Sequence, residues 1–330
     1  SISITQSDGE SPITLTSTMG MSMTRAVTEL QTNKINTSVV VGAFGITGDK
    51  AVTNGTNNQY EVDSSGDLTA LDKEMRWPKD ANAKVSIYAY APYQVGWSSN
   101  AANAFTVSTD QSSNEGYLKS DLIYATAKDQ EWTKSAISLN FKHELARINV
   151  TVKKGEDSQY DVSSSNIYIT NTKPGTTLNP STGDLGEATG SATAIKIAGG
   201  IEIESTTKVY GIIVPQTLKA NTKFVKIETK DGKTLTAKLS DDVNFEIGKS
   251  YNFTATIGNA ELDLTLGSVT LTDWGTATDL GSAQTEEVEY EYSPAAFVAL
   301  SSSQSATYAD GTYSWTAASN NLMTLLEFPL

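Results

Sequence analysis

Residues able to do chemistry are sparse in this chain, and their densest grouping is His143-Glu144-Leu145-Ala146-Arg147. The spacing approaches the zinc-protease pattern His-Glu-x-x-His, in which two histidines one helical turn apart hold a metal and the glutamate activates water. Arg147 stands where the second histidine belongs, His143 is the only histidine, and there is no cysteine. An ordinary zinc site is thereby excluded, as are disulfides and thiolate chemistry. No G-x-S-x-G elbow is present to expose a serine nucleophile to that histidine. His143 is expected instead to be a buried corner residue, hydrogen-bonded to backbone or to a carboxylate.

The other motifs reduce in the same way. Asp231-Gly232-Lys233-Thr234 looks like the end of a phosphate loop, but Ile227 replaces the glycine such a loop needs, and Asp-Gly between apolar runs reads as a type I′ hairpin turn. Carboxylate pairs such as Asp241-Asp242 and Glu286-Glu287 are common in an acidic chain and are expected to be solvated rather than glycosidic acid/base pairs. Asp63-Ser64-Ser65-Gly66-Asp67 does not match a calcium loop. Tyr88, Tyr90, Tyr93 and Trp97 form a candidate glycan surface, because aromatic faces stack on sugar rings, although core packing accounts for the shared parity of Tyr88 and Tyr90 equally well. Neither a catalytic residue nor a cofactor is expected, and the chain is read as a non-enzyme.

The elements that must carry these residues are strands. Ile137, Leu139 and Phe141 alternate with polar residues, as do Ile148, Val150 and Val152, which predicts two runs of one half-buried antiparallel sheet joined at a corner by His143 to Arg147. Similar runs at 39–46, 85–92, 166–171, 208–214, 224–229, 234–239 and 251–257 predict an all-β protein. A brief helical turn is expected at 26–33. The 330 residues exceed what one core usually serves, and the polar stretch Lys153 to Ser165 places a domain boundary near residue 155. Twenty-four basic against 38 acidic residues give a net charge of −14, which argues against nucleic acid and anionic membranes as partners. No run reaches the roughly 20 apolar residues of a membrane helix. Ser/Thr richness with three arginines (Arg25, Arg76 and Arg147) fits an exported surface protein. Asn321 to Leu330 is apolar to its last residue, and such a strand has to be covered by its own sheet or by another molecule.

Taken in order, Thr24-Arg25-Ala26; Arg76-Trp77-Pro78 before the Val85 to Pro92 strand; Asp121-Leu122-Ile123-Tyr124-Ala125; Leu139-Asn140-Phe141-Lys142-His143-Glu144-Leu145-Ala146; and Asp273-Trp274 resemble the Bacteroidetes fimbrillin-like family, the pilins and lipoprotein adhesins of type V pili. The motifs span about residues 12 to 284. The resemblance implies two tandem β-sandwich domains of transthyretin-like, Greek-key topology: a removable strand at 1–25, sandwiches at 26–155 and 156–284, and a C-terminal extension at 285–330. It implies a structural and adhesive pilus subunit, exported as a lipoprotein to the outer membrane and fimbrium at the cell surface. A trypsin-like Arg-specific protease would cut after Arg25, leaving Ala26 as the new N-terminus. The groove so opened would take a donor strand from another pilin subunit, with Leu322, Leu326 and Phe328 as the groove-filling side chains. The alternative implied is a monomeric surface lipoprotein adhesin or glycan-binding tip, with host or bacterial glycans as partners.

Overall fold

The computed structural model describes residues 11–19, 22–23, 31–32, 34–156, 158–258, 274, 277–287, 305–309 and 312–316. They fall in two units, Ser1–Glu287 and Val288–Leu330.

In the larger unit, period-two alternation sets the faces of the strands. Along Ile137–His143 the odd-numbered residues are buried and Ser138, Asn140 and Lys142 are exposed, as a pleated strand with one face on a core requires. Eight strands make one sheet, and all but Lys50–Ala51 form a closed ring. Its order is Val41–Thr47, Asn58–Val62, Asp67–Ala70, Leu15–Met19, Ile137–His143, Ile123–Gln130 and Val85–Ala91, the last pairing back onto the first from Gly42↔Tyr90 to Ile46↔Ser86. Leu15, Val41, Tyr60, Met75, Ile87 and Leu139 belong to the core of this ring. Closure leaves the seven strands of the ring paired on both sides.

A second core lies between two further sheets. One comprises Thr207–Ile213, Ala146–Lys154, Ser250–Ile257 and Ala277–Gln284; the other Thr193–Ile201, Ser165–Thr172, Lys223–Glu228, Thr234–Lys238 and Glu286–Glu287. Ile148, Val150 and Phe253 from the first share a core with Ile167, Ile195 and Phe224 from the second. Residues 277–287 act as a strap between them. They run parallel to Ser250–Ile257 on one sheet and then pair Glu286 and Glu287 with Thr236 and Leu235 on the other. Lys238 and Lys233 hold those two carboxylates, each at 3.0 Å.

The all-β expectation holds, while several finer expectations are corrected. The runs at 137–141 and 148–152 lie in different sheets, so the chain changes sheet at Glu144-Leu145. Leu15–Met19 pairs in parallel with Ile137–His143, and Ser250–Ile257 with Ala146–Lys154, because alternation fixes which face is buried but says nothing of the partner or its direction. The turn after Lys223–Glu228 has a single left-handed residue, Gly232 at φ +82. It is therefore no type I′ turn, which needs two. A helix at Asn114–Ser120, capped by the Ser113 side chain on the Gly116 N–H, was not anticipated. Of the expected helical turn at 26–33, residues 31–32 pair as a strand with 22–23 and the rest lies outside the described residues.

The two cores are knit together. Asn103–Thr106 from the first half pairs with Gly175–Leu178 from the second. Gln111, fully buried, donates from Nε2 to the Ile212 carbonyl (2.8 Å) and accepts from the Ile212 N–H at Oε1 (2.7 Å), so a side-chain amide stands in for a neighbouring strand. In the smaller unit Ser305–Ala309 and Thr312–Thr316 form an antiparallel pair with Tyr308 opposite Tyr313.

Candidate functional site

Leu15–Met19 is one stave of the ring. It pairs in parallel with Ile137–His143 from Leu15↔Ile137 to Met19↔Phe141, and antiparallel with Asp67–Ala70 at Leu15↔Leu68 and Thr16↔Asp67. Leu15, Ser17 and Met19 are 1%, 2% and 5% exposed, so the inner face is sealed. On the outer face, Thr16 Oγ1 donates to Asp67 Oδ1 (2.9 Å) and Thr18 Oγ1 to Asn140 Oδ1 (3.3 Å). Just upstream, the Ile13 N–H donates to the Met75 carbonyl (2.8 Å) and the Trp77 N–H to the Ser11 carbonyl (3.0 Å).

A turn clamps the middle of the stave. Asp63 Oδ1 accepts from the Ser65 N–H (2.9 Å), Ser65 Oγ (2.6 Å) and the Asp67 N–H (2.9 Å). These bonds, that from Ser65 Oγ foremost, hold the Asp63 carboxyl below its usual range. With three hydrogen bonds on that oxygen, the Asp63 carboxylate caps the turn. The turn brings Gly66, at φ +95, over Ser17. The Gly66 carbonyl accepts from both the Ser17 N–H (2.7 Å) and Ser17 Oγ (2.6 Å). A Cβ on Gly66 would come within 2.3 Å of the Ser17 carbonyl oxygen, so the glycine is required by both conformation and space.

The His143 corner proves to be a joint. Nδ1 lies 2.7 Å from Asp121 Oδ1, and the imidazole stacks on the Trp274 indole at 3.4 Å and 8°. Trp274 Nε1 donates to the Leu145 carbonyl at 3.0 Å, tying the strap side of the molecule to the turn between the two cores. The expected histidine–carboxylate bond is present. Glu144 is buried, and that burial pushes its carboxyl up to about 7 against a smaller opposing effect of Lys142. Arg147 is wholly buried with its guanidinium 4.3 Å from the centre of the Tyr210 ring and, among the described residues, no hydrogen-bond acceptor. Among the described residues, the imidazole Nε2 has no hydrogen-bond partner.

The aromatic set divides. Tyr90 and Trp97 are buried and stacked on each other at 4.3 Å, with Tyr90 Oη donating to Asn57 Oδ1 (2.6 Å) and Trp97 Nε1 to the Ala104 carbonyl (3.2 Å). Gly42 makes room for the Tyr90 ring, since a Cβ there would sit 2.6 Å from it. These two rings offer no face to a ligand, which corrects the expectation of a shared platform. Tyr88 and Tyr93 are half-buried, and Tyr93 lines an open cleft of about 810 Å³ together with Gln59, Pro92, Asn114, Leu118 and Lys119.

Arg25 and Ala26, and likewise Leu322, Leu326 and Phe328, lie outside the described residues. Sequence reasoning missed Ser17 and Gly66. The signal available was the alternation Ile13, Leu15, Ser17, Met19, in which a small polar residue falls on the apolar face.

The chain matches a family model described as fimbrillin-like over residues 24–274. Among solved structures it is similar to a candidate cell adhesion protein from Bacteroides uniformis, at 22% identity over 74% of this chain and 92% of that one, with a TM-score of 0.54. It is also similar to one from Bacteroides ovatus, at 16% identity over 84% of this chain and 96% of that one, with a TM-score of 0.58. At these identities the likeness is one of fold. Comparison with curated proteins gives no match. With most of its length covered by the family model, from the residue before Arg25 to the tryptophan that stacks on His143, this chain belongs to the fimbrillin-like family.

Proposed function

We propose that the protein is a structural and adhesive subunit of a type V fimbria at the cell surface, exported as a lipoprotein and joined to its neighbours by strand exchange. The observation that carries this reading is the stave Leu15–Met19: it fills a central place in a closed ring, yet it lies upstream of Thr24, where the family match begins. Cutting after Arg25 by a trypsin-like, Arg-specific protease frees the stave from the rest of the ring. Arg147 is wholly buried, which protects it from the same enzyme. Once the stave leaves, Ile137–His143 and Asp67–Ala70 become open edges, and the places of Leu15 and Met19 empty. At about 1.5–3 kcal/mol for each large apolar side chain removed from its core, the ring is strongly driven to refill. A strand from another subunit restores both ladders and the apolar contacts.

In this reading residues 1–25 are the removable piece and the extension expected at 285–330, less the strap residues 285–287, supplies the donor, with Leu322, Leu326 and Phe328 as its apolar side chains. The ring and the sandwich behind it act as the two domains, dividing at Glu144-Leu145, where the sheets change. Cleavage after Arg25 followed by incubation is expected to yield SDS-resistant ladders, and deletion of 319–330 to abolish them. Absence of a ladder under every cleavage condition would sink the proposal. A second reading, a glycan-binding tip or monomeric adhesin, draws on the Tyr93 cleft. Glycan-array binding that is lost in Tyr93→Ala would favour it.

A further inference from the structure

The slot occupied by Leu15–Met19 has a narrow point. Leu15 and Met19 sit in the apolar core of the ring, but Ser17 between them is pressed against the backbone of the Asp63–Gly66 turn, with Oγ only 2.6 Å from the Gly66 carbonyl oxygen. A leucine or an aromatic side chain at this place, reaching beyond the position of the hydroxyl, would run into that carbonyl. A small hydroxyl fits, and it gives this buried carbonyl a second hydrogen bond beside that from the backbone N–H of the strand.

We infer that the slot selects a strand carrying a small hydroxyl residue flanked two positions away on each side by large apolar ones, and that a second copy of this chain supplies it as Leu322–Leu326, with Thr324 in the place of Ser17. This rests on the strand-exchange reading above and specifies its register. Leu15-Thr16-Ser17-Thr18-Met19 and Leu322-Met323-Thr324-Leu325-Leu326 share the pattern large, small hydroxyl, large at alternate positions. Thr324 is the only hydroxyl residue between Asn321 and Leu330. A slip of two residues in either direction puts Leu322 or Leu326 against Gly66, and a slip of one turns Thr324 to the outer face. Because the leucines flank Thr324 symmetrically, the match holds for either strand direction. Met323 and Leu325 then replace Thr16 and Thr18, so the exchange gives up two surface hydrogen bonds while keeping the buried one.

The test uses full-length chain cleaved after Arg25, with SDS-resistant ladders read for wild type, Thr324→Ser, Thr324→Phe and Leu325→Phe. Thr324→Ser and Leu325→Phe are expected to ladder like wild type, and Thr324→Phe at least tenfold less. Equal laddering by Thr324→Phe overturns the register, as does an equal loss in Leu325→Phe, which adds the same ring on the opposite face. If wild type itself forms no ladder, it is the strand-exchange reading that fails.

Discussion

Glu144 shows how backbone placement decides the chemistry of a side chain. The residue sits at the step between two cores, where its N–H donates to the Leu122 carbonyl and its carboxyl is buried. Burial raises the folded-state pKa from 4.5 to about 7. A carboxyl with a raised folded pKa contributes its stability below the unfolded value and loses it as pH climbs through the folded one. Glu144→Gln should therefore match wild type near pH 4 and gain relative stability between pH 4.5 and 8, reaching on the order of 2–3 kcal/mol. Chemical denaturation at a series of pH values checks this, and a flat difference would refute it. Gly66→Ala is expected to lose about 1–3 kcal/mol, since alanine must take up a left-handed φ and collide with the Ser17 carbonyl. A thermal melt reads the loss directly.

Elements add what single residues lack, namely a neighbour on each side. Ile137–His143 takes Leu15–Met19 on one edge and Ile123–Gln130 on the other, with its two faces in opposite environments. Leu139→Ala should cost about 2–5 kcal/mol by opening a cavity in the ring core. Asn140→Ala, one residue away on the outer face, should stay within about 0.5 kcal/mol. Urea titrations of the two variants separate these outcomes, and similar losses would mean that the strand is not sided as described. The same sidedness gives the stave its significance, because a strand that seals a ring is missed on both edges when it leaves.

Over the whole molecule, the two cores depend on each other more than a boundary at residue 155 suggests. Asn103–Thr106 pairs across to Gly175–Leu178, Gln111 completes the edge of Thr207–Ile213, and Tyr124 Oη donates to the Pro180 carbonyl at 2.6 Å. Ala146–Lys154 is numbered with the first half but lies between two strands of the second. A fragment ending at residue 155 would expose that strand's apolar face and lose the pairings that cross between halves. It is expected to be aggregated or molten, with poor amide dispersion in NMR spectra, whereas a well-dispersed spectrum would show the ring to be autonomous.

Alternation along the chain determined by itself that this is a β protein and which side chains are buried on most strands, and one histidine without any cysteine ruled out an ordinary zinc site. Those conclusions need only local information, since a period of two assigns faces and a missing ligand excludes a site. Only the tertiary structure decided that Leu15–Met19 closes a ring, that Tyr90 and Trp97 stack inside, and that Gly66 rests on Ser17. Strand partners are chosen by contacts between residues far apart in sequence, Leu15 with Ile137 and Ser17 with Gly66, and a period of two holds no record of which distant strand will be the neighbour.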